Sequence, residues 1–157
     1  MRNVNFILSG YVGEEIDKDN YRLGDVLELE PELRLYVGDR MELSLKNSFK
    51  RLNVKGGRLF TENYLRLSLT YEFPEGSFAR FTFIDDYVSR NTDLYLYEGK
   101  EALERETSGE LLFAWKPGKG NLFLIGLQGG AMDTAELDGP TFDNWLFYVK
   151  YSRAFRW

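Results

Sequence analysis

Residues 63–73 read NYLRLSLTYEF. Leu65, Leu67, Leu69, Tyr71 and Phe73 alternate there with Arg66, Ser68, Thr70 and Glu72. Successive side chains of a strand point to opposite faces, so a period of two means a strand with one greasy and one polar face. The same period runs outward in both directions. In residues 25–38, Leu27, Leu29, Leu33, Leu35 and Val37 alternate with Glu28, Glu30, Glu32, Arg34 and Tyr36. In residues 40–50, Met41, Leu43, Leu45 and Phe49 alternate with Glu42, Ser44, Lys46, Ser48 and Lys50. Downstream, Ala79, Phe81, Phe83 and Tyr87 oppose Arg80, Thr82, Ile84 and Asp86, while Leu111, Phe113 and Trp115 oppose Glu110, Leu112, Ala114 and Lys116. The tail carries Trp145, Phe147, Val149, Tyr151, Arg153, Phe155 and Trp157 on one face. Weaker strands lie near residues 4–12 and around residue 125.

These runs make about eight strands of roughly ten residues or more, the length a tilted membrane-spanning strand needs and longer than the usual soluble strand. Their connections alternate. Short turns are expected at residues 37–40, 74–76 and 116–120. Longer polar loops are expected at GEEIDKDNYRLGD, SRNTDLYLYEGKEALERE and GGAMDTAELDGPTFD, with VKGGR the short exception. Short turns at one end and long loops at the other describe an outer-membrane barrel. An even strand count puts both termini at the short-turn end.

Composition narrows the classes. The chain of 157 residues fits one domain, 1–157. Aromatics reach 16% while charged residues make 29%, and no apolar run is long enough for a transmembrane helix. The polar start, MRNVN, is unlike a secretion signal, which leaves a cytoplasmic chain or a mature or engineered form. There is no cysteine and no histidine, so disulfides, thiolate metal sites and the commonest general base are missing. A net charge of −5 without a basic stripe argues against nucleic acid. No cofactor and no catalysis are expected. Asp85 and Asp86 are adjacent on a strand, point to opposite faces and cannot share a proton. Gly56-Gly57 and Gly129-Gly130 lack the spacing of phosphate loops and fit turns or bulges. The acidic residues Asp133, Glu136, Asp138 and Asp143 lack the spacing of a calcium loop. Tyr95 and Tyr97 offer stacking surfaces for sugars, with a packed loop as the simpler reading.

Periodicity leaves open which face looks outward. Three features favour greasy side chains outside and charges within. The apolar face is uniformly large, and an eight-stranded barrel leaves an interior only just wide enough for side chains. The charged face is nearly balanced, as a buried charge network must be. Its expected members are Glu28, Glu30, Glu32, Arg34, Glu42, Lys46, Lys50, Arg66, Glu72, Arg80, Glu110 and Lys150. Aromatics sit near strand ends and suggest two interfacial girdles: Tyr71, Phe73, Trp115, Phe155 and Trp157 at the turn end, Tyr87 and Trp145 at the loop end. Pro31 falls in mid-strand and predicts a bulge. Asn47 and Asp85 fall on the greasy face near its rim, and Arg153 would snorkel.

The tail KYSRAFRW resembles the C-terminal insertion signal of bacterial outer-membrane barrels. Lys150, Phe155 and Trp157 match its polar and aromatic positions, whereas Ser152 stands where glycine is usual and Trp replaces the commoner final Phe. This resemblance implies the barrel-assembly machinery as a partner. A wider one covers roughly residues 40–157. FKRLNVKGGRLFTENYLRLSLTYEF, with SFARF and SRNTDLY, is similar to the C-terminal barrel of an uncharacterised bacterial outer-membrane family, in which the barrel follows a domain like those of carbohydrate-binding family nine. That family is much longer and implies no catalytic residues; this chain would be an excised or redesigned module. The expectation is therefore an all-β fold: an eight-stranded antiparallel up-and-down transmembrane β-barrel in a bacterial outer membrane. It would be a monomer embedded in lipid or detergent, serving as a membrane anchor or minimal barrel scaffold. The alternatives are a transport pore built from a larger or oligomeric barrel, and a soluble barrel holding an apolar ligand.

Overall fold

The computed structural model describes residues 2–97, 99–118, 120–134 and 141–153. Eight strands form one antiparallel sheet in the order of the chain. They are β1 (Arg2–Asp17), β2 (Arg22–Val37), β3 (Met41–Val54), β4 (Gly57–Glu72), β5 (Phe78–Arg90), β6 (Leu103–Gly118), β7 (Asn121–Thr134) and β8 (Thr141–Arg153). A 3-10 turn, Thr92–Leu94, lies in the connection between β5 and β6. No second sheet or helix layer lies over either face among the described residues.

The register turns the alternation within each strand into continuous rows across the sheet. Phe6, Leu33, Leu45, Leu67, Phe83, Gly109, Gly129 and Trp145 pair in succession. The next row toward the β2–β3 turn is Val4, Leu35, Leu43, Leu69, Phe81, Leu111, Leu127 and Phe147. Between them, on the other face, run Asn5, Arg34, Ser44, Ser68, Thr82, Glu110, Gln128 and Leu146. The apolar band crosses the rows obliquely. On β1 it reaches Val12, whose row continues through Leu27 to Arg51, Thr61 and Ser89. On β8 it extends the other way to Tyr151, in a row with Phe123 and Trp115.

Several expectations are corrected. The strands run 13 to 16 residues, so GEEIDKDNYRLGD is mostly strand and only residues 18–21 connect β1 to β2. Local hydrogen bonding to Asp17 closes that turn tightly. The long connection that remains among the described residues is 91–102, because β7 and β8 also extend, to Thr134 and from Thr141. The turn expected at 116–120 is shortened, since β6 continues through a bulge between Trp115 and Gly118. Pro31 makes no bulge. Pairing between β2 and β3 skips Glu30 and Pro31 and resumes at Glu32–Lys46 in unchanged register. Proline withholds one donor without adding a residue, so the ladder is interrupted but not shifted. Finally, β1 and β8 share no ladder among the described residues, and the sheet is open rather than closed. The meander supplies only neighbouring pairs; closure would need a further pair between its two ends.

Bulges sit where the chain must bend or end. One at Leu52/Asn53 leaves Leu59 without a partner on β3, next to the two-residue turn closed by Gly56 at φ 113°. Gly126 has a different reason for lacking a side chain. The Tyr148 ring occupies the space beside it, and its hydroxyl donates to Glu110 Oε1 at 2.8 Å. A methyl at 126 would collide with that ring. Gly126→Ala should therefore destabilise the fold by about 1–3 kcal/mol. Gly118→Ala, where a methyl meets nothing within 4 Å, should be close to neutral. Urea unfolding of the two variants checks this.

Candidate functional site

The two faces are covered differently. On the apolar face large side chains stand bare: Phe81 is 42% exposed, Leu111 55% and Phe147 66%. The other face holds its own charges in pairs. Lys50 Nζ lies 2.6 Å from Glu15 and 2.9 Å from Glu28. Glu32 joins Lys46 at 3.2 Å and Arg34 at 2.6 Å. Arg80 reaches Glu110 at 3.8 Å, where Tyr148 also donates. Seven of the expected network residues, Arg80 among them, are thus brought into three clusters. Cross-strand pairing places Glu28 opposite Lys50 and Glu32 opposite Lys46, so the sheet register itself creates these contacts. Glu30, Glu42, Arg66, Glu72 and Lys150 lie in no ion pair among the described residues. Arg66 stands directly opposite Lys46, like charge against like.

Toward the loop end the charged face forms a polar recess of about 420 Å³ lined by Glu28, Glu30, Ser48, Lys50, Glu62, Tyr64 and Asp86. Asp86 points into it, while its neighbour Asp85 pairs with Arg105 on the other face at 2.7 Å. No group of three or more carboxylates is placed to hold a metal ion among the described residues.

Beyond the recess the charged register turns apolar. Val26, Leu52 and Val54 continue the phase of Glu28, Lys50 and their neighbours, yet they are buried with Leu59 in the main hydrophobic cluster of the protein. Phe60, Leu94 and Tyr95 pack against it. The segment that follows β5 therefore folds onto the charged face. Its course is fixed by the tip of the β1–β2 hairpin. Asp17, only 4% exposed, accepts from the Asn20 amide at 2.6 Å and from Arg22 Nε at 3.0 Å. Arg22 Nη2 then donates to the Leu94 carbonyl at 2.5 Å, and the Leu96 N–H donates to Asn20 Oδ1 at 2.7 Å. The Asn91 N–H donates to the Leu59 carbonyl at 2.8 Å. Tyr95 is the packed loop residue, whereas Tyr97 is exposed. Sequence reasoning missed this cluster. Its signal was present as Leu52 and Val54 following Lys46, Ser48 and Lys50 in one phase.

At the turn end, Tyr71 and Phe73 lie edge to face at 5.0 Å, and Phe73 reaches Phe113 at 6.0 Å. Trp115, Phe123 and Tyr151 continue the belt at 5.4 and 4.6 Å. Tyr71, Phe73 and Trp115 were expected there; Phe113, Phe123 and Tyr151 were not. Phe155 and Trp157, and with them half of the tail signal, lie outside the described residues. Lys150 and Ser152 sit on the charged-face phase of β8, opposite Leu124 and Leu122. The loop-end aromatics form no belt: Tyr87 pairs with Arg105, and Trp145 covers Gly129. A polar rim borders the band instead, where Asn47 donates to Asn63 at 2.9 Å and Asp85 meets Arg105. Of the acidic residues near residue 138, Asp133 pairs with Arg105 along the ladder; Glu136 and Asp138 and the side chain of Asp143 lie outside the described residues. Comparison with protein-family models, curated proteins and solved structures gave no match.

Two outcomes follow from this geometry. Lys50→Met leaves Glu15 and Glu28 facing each other, and stability should fall by on the order of 1 kcal/mol in urea unfolding. Adding Glu28→Gln should recover part of the loss. Burial raises the Tyr95 phenol above its ordinary value, with the nearby Arg90 opposing and Asp19 adding to the shift. Because the folded state holds that proton longer, stability is complete below about pH 10 and declines as the unfolded chain ionises above it. A spectrophotometric tyrosine titration of wild type minus Tyr95→Phe should show a component rising later than an exposed phenol.

Proposed function

We propose that the chain is a bacterial outer-membrane β-barrel element, with the bare face toward lipid and the charged face inward, acting as a membrane anchor or scaffold without catalysis. The observation that carries this reading is which face the protein covers for itself. Its own segment, residues 91–96, seats on the charged register, and the ion pairs satisfy much of the rest. The apolar face has rows of Leu and Phe across the sheet, and none of the described residues lies over it. In water such a face is a liability; against acyl chains it is the expected surface. The belt of Tyr71, Phe73, Phe113, Trp115, Phe123 and Tyr151 suits an interface. The tail and the stretch from residue 40 add the resemblance to outer-membrane barrels.

A spanning sheet must have no free edge in lipid. The edges here are poorly defended: residues 3–13 of β1 and 144–149 of β8 carry no charge and no proline. They are built to pair. Pairing with each other gives a small barrel filled by its charges. Pairing with further strands or another copy gives the second reading, a transport pore, which the open sheet favours.

The chain should fold in detergent or lipid, with gel migration that changes on boiling, and aggregate without either. Trp145, in a variant keeping it as the sole tryptophan, should be quenched by quenchers carried on acyl chains. Phe81→Arg should cost about 2–4 kcal/mol in lipid. Stable folding in plain buffer as a monomer, with Trp145 shielded, would replace this reading with the soluble barrel. Steady single-channel currents would select the pore over the filled anchor.

A further inference from the structure

We propose that residues 91–96 are a strap that closes the loop end of the charged face, and that access to the polar recess requires its release. The proposal rests on the reading that the charged face is the interior. Three independent contacts make the segment a closure rather than a passing loop. Its apolar side chains, Leu94 and Tyr95, enter a socket of Val26, Leu52, Val54 and Leu59, where Leu59 is 0% and Leu52 2% exposed. Its backbone is latched at both polarities to another hairpin: the Leu94 carbonyl accepts from Arg22, and the Leu96 N–H donates to Asn20. The latch is itself prepared. Asp17 fixes Asn20 through a buried hydrogen bond and Arg22 through a part-buried one, and Tyr21 takes the left-handed conformation, φ 51°, that completes the tip.

The same placement makes the strap separable from the sheet. Leu94 and Tyr95 belong to no strand, and every ladder bond remains when they leave. Movement of a few loop residues would expose Leu52 and, one step along the same face, the recess bearing Glu28, Glu30, Glu62 and Asp86 against Lys50. A solute reaching that recess from the loop end meets an acidic surface, so the strap controls entry of cations in preference to anions.

The absence of native cysteine permits a clean test. Leu52→Cys is placed under the strap, and its reaction with a charged, membrane-impermeant thiol reagent is timed. With the wild-type strap the reaction should be slow. With Leu94→Asp added it should accelerate by about tenfold or more, since a carboxylate cannot stay in that socket; Leu94→Ala should give an intermediate rate. The far-strand pairing is monitored by boiling-dependent migration, which should not change. Equal labelling rates with and without Leu94→Asp, in a folded chain, would overturn the strap. The comparison is made in whichever medium yields folded chain. A chain that folds in buffer alone would end the membrane reading, yet the labelling rates would still decide the strap.

Discussion

A single layer of sheet has two faces, and a chain can cover only one of them with what remains of itself. That constraint organises this molecule. Ladder bonds hold the strands together, but they do not choose an inside. The choice comes from side-chain chemistry laid down with a period of two, and the register preserves it across eight strands along the row that runs from Phe6 to Trp145. Charges meet opposite charges on one face because Glu28 and Glu32 are held opposite Lys50 and Lys46. The other face has no polar group to satisfy over several rows, and none of the described residues folds over it.

The hydrophobic core is accordingly small and in an unusual place. It lies on the charged register, at the loop end, where Val26, Leu52 and Val54 replace the carboxylates and amines of the same phase. Many of the large apolar side chains are only partly covered. Where apolar burial is complete it has a local result: it seats Leu94 and Tyr95 and pins the longest described connection. Fold integrity elsewhere rests on the long ladders, on bulges that absorb irregular residues, and on ring-beside-glycine contacts such as Tyr148 against Gly126.

The alternation was fully legible in the sequence, since it depends only on neighbours two apart. Strand order and the opposition of Asp85 to Asp86 followed from it. Loop lengths were not legible. Polar residues such as Asp17, Asn20 and Arg22 look like loop, yet here they terminate strands through hydrogen bonds to distant backbone, which no local pattern encodes. Pro31 shows the reverse: a local signal for a bulge, where the pairing of β2 with β3 is interrupted but resumes in unchanged register. The charge network was legible where partners face across one ladder, as with Glu32 and Lys46. It failed for Arg66, whose opposite residue is Lys46 again. The strap was invisible because its contacts join residues 17–22, 52–60 and 91–96, far apart along the chain.

The slant of the greasy band carries a consequence for assembly. Because it climbs along the strands from β1 to β8, its two ends stand at different heights. Held level, the band tilts the strands, and a sheet rolled up at that tilt meets its first strand displaced along its last. Only a ring whose last step absorbs that displacement returns to the level at which it began.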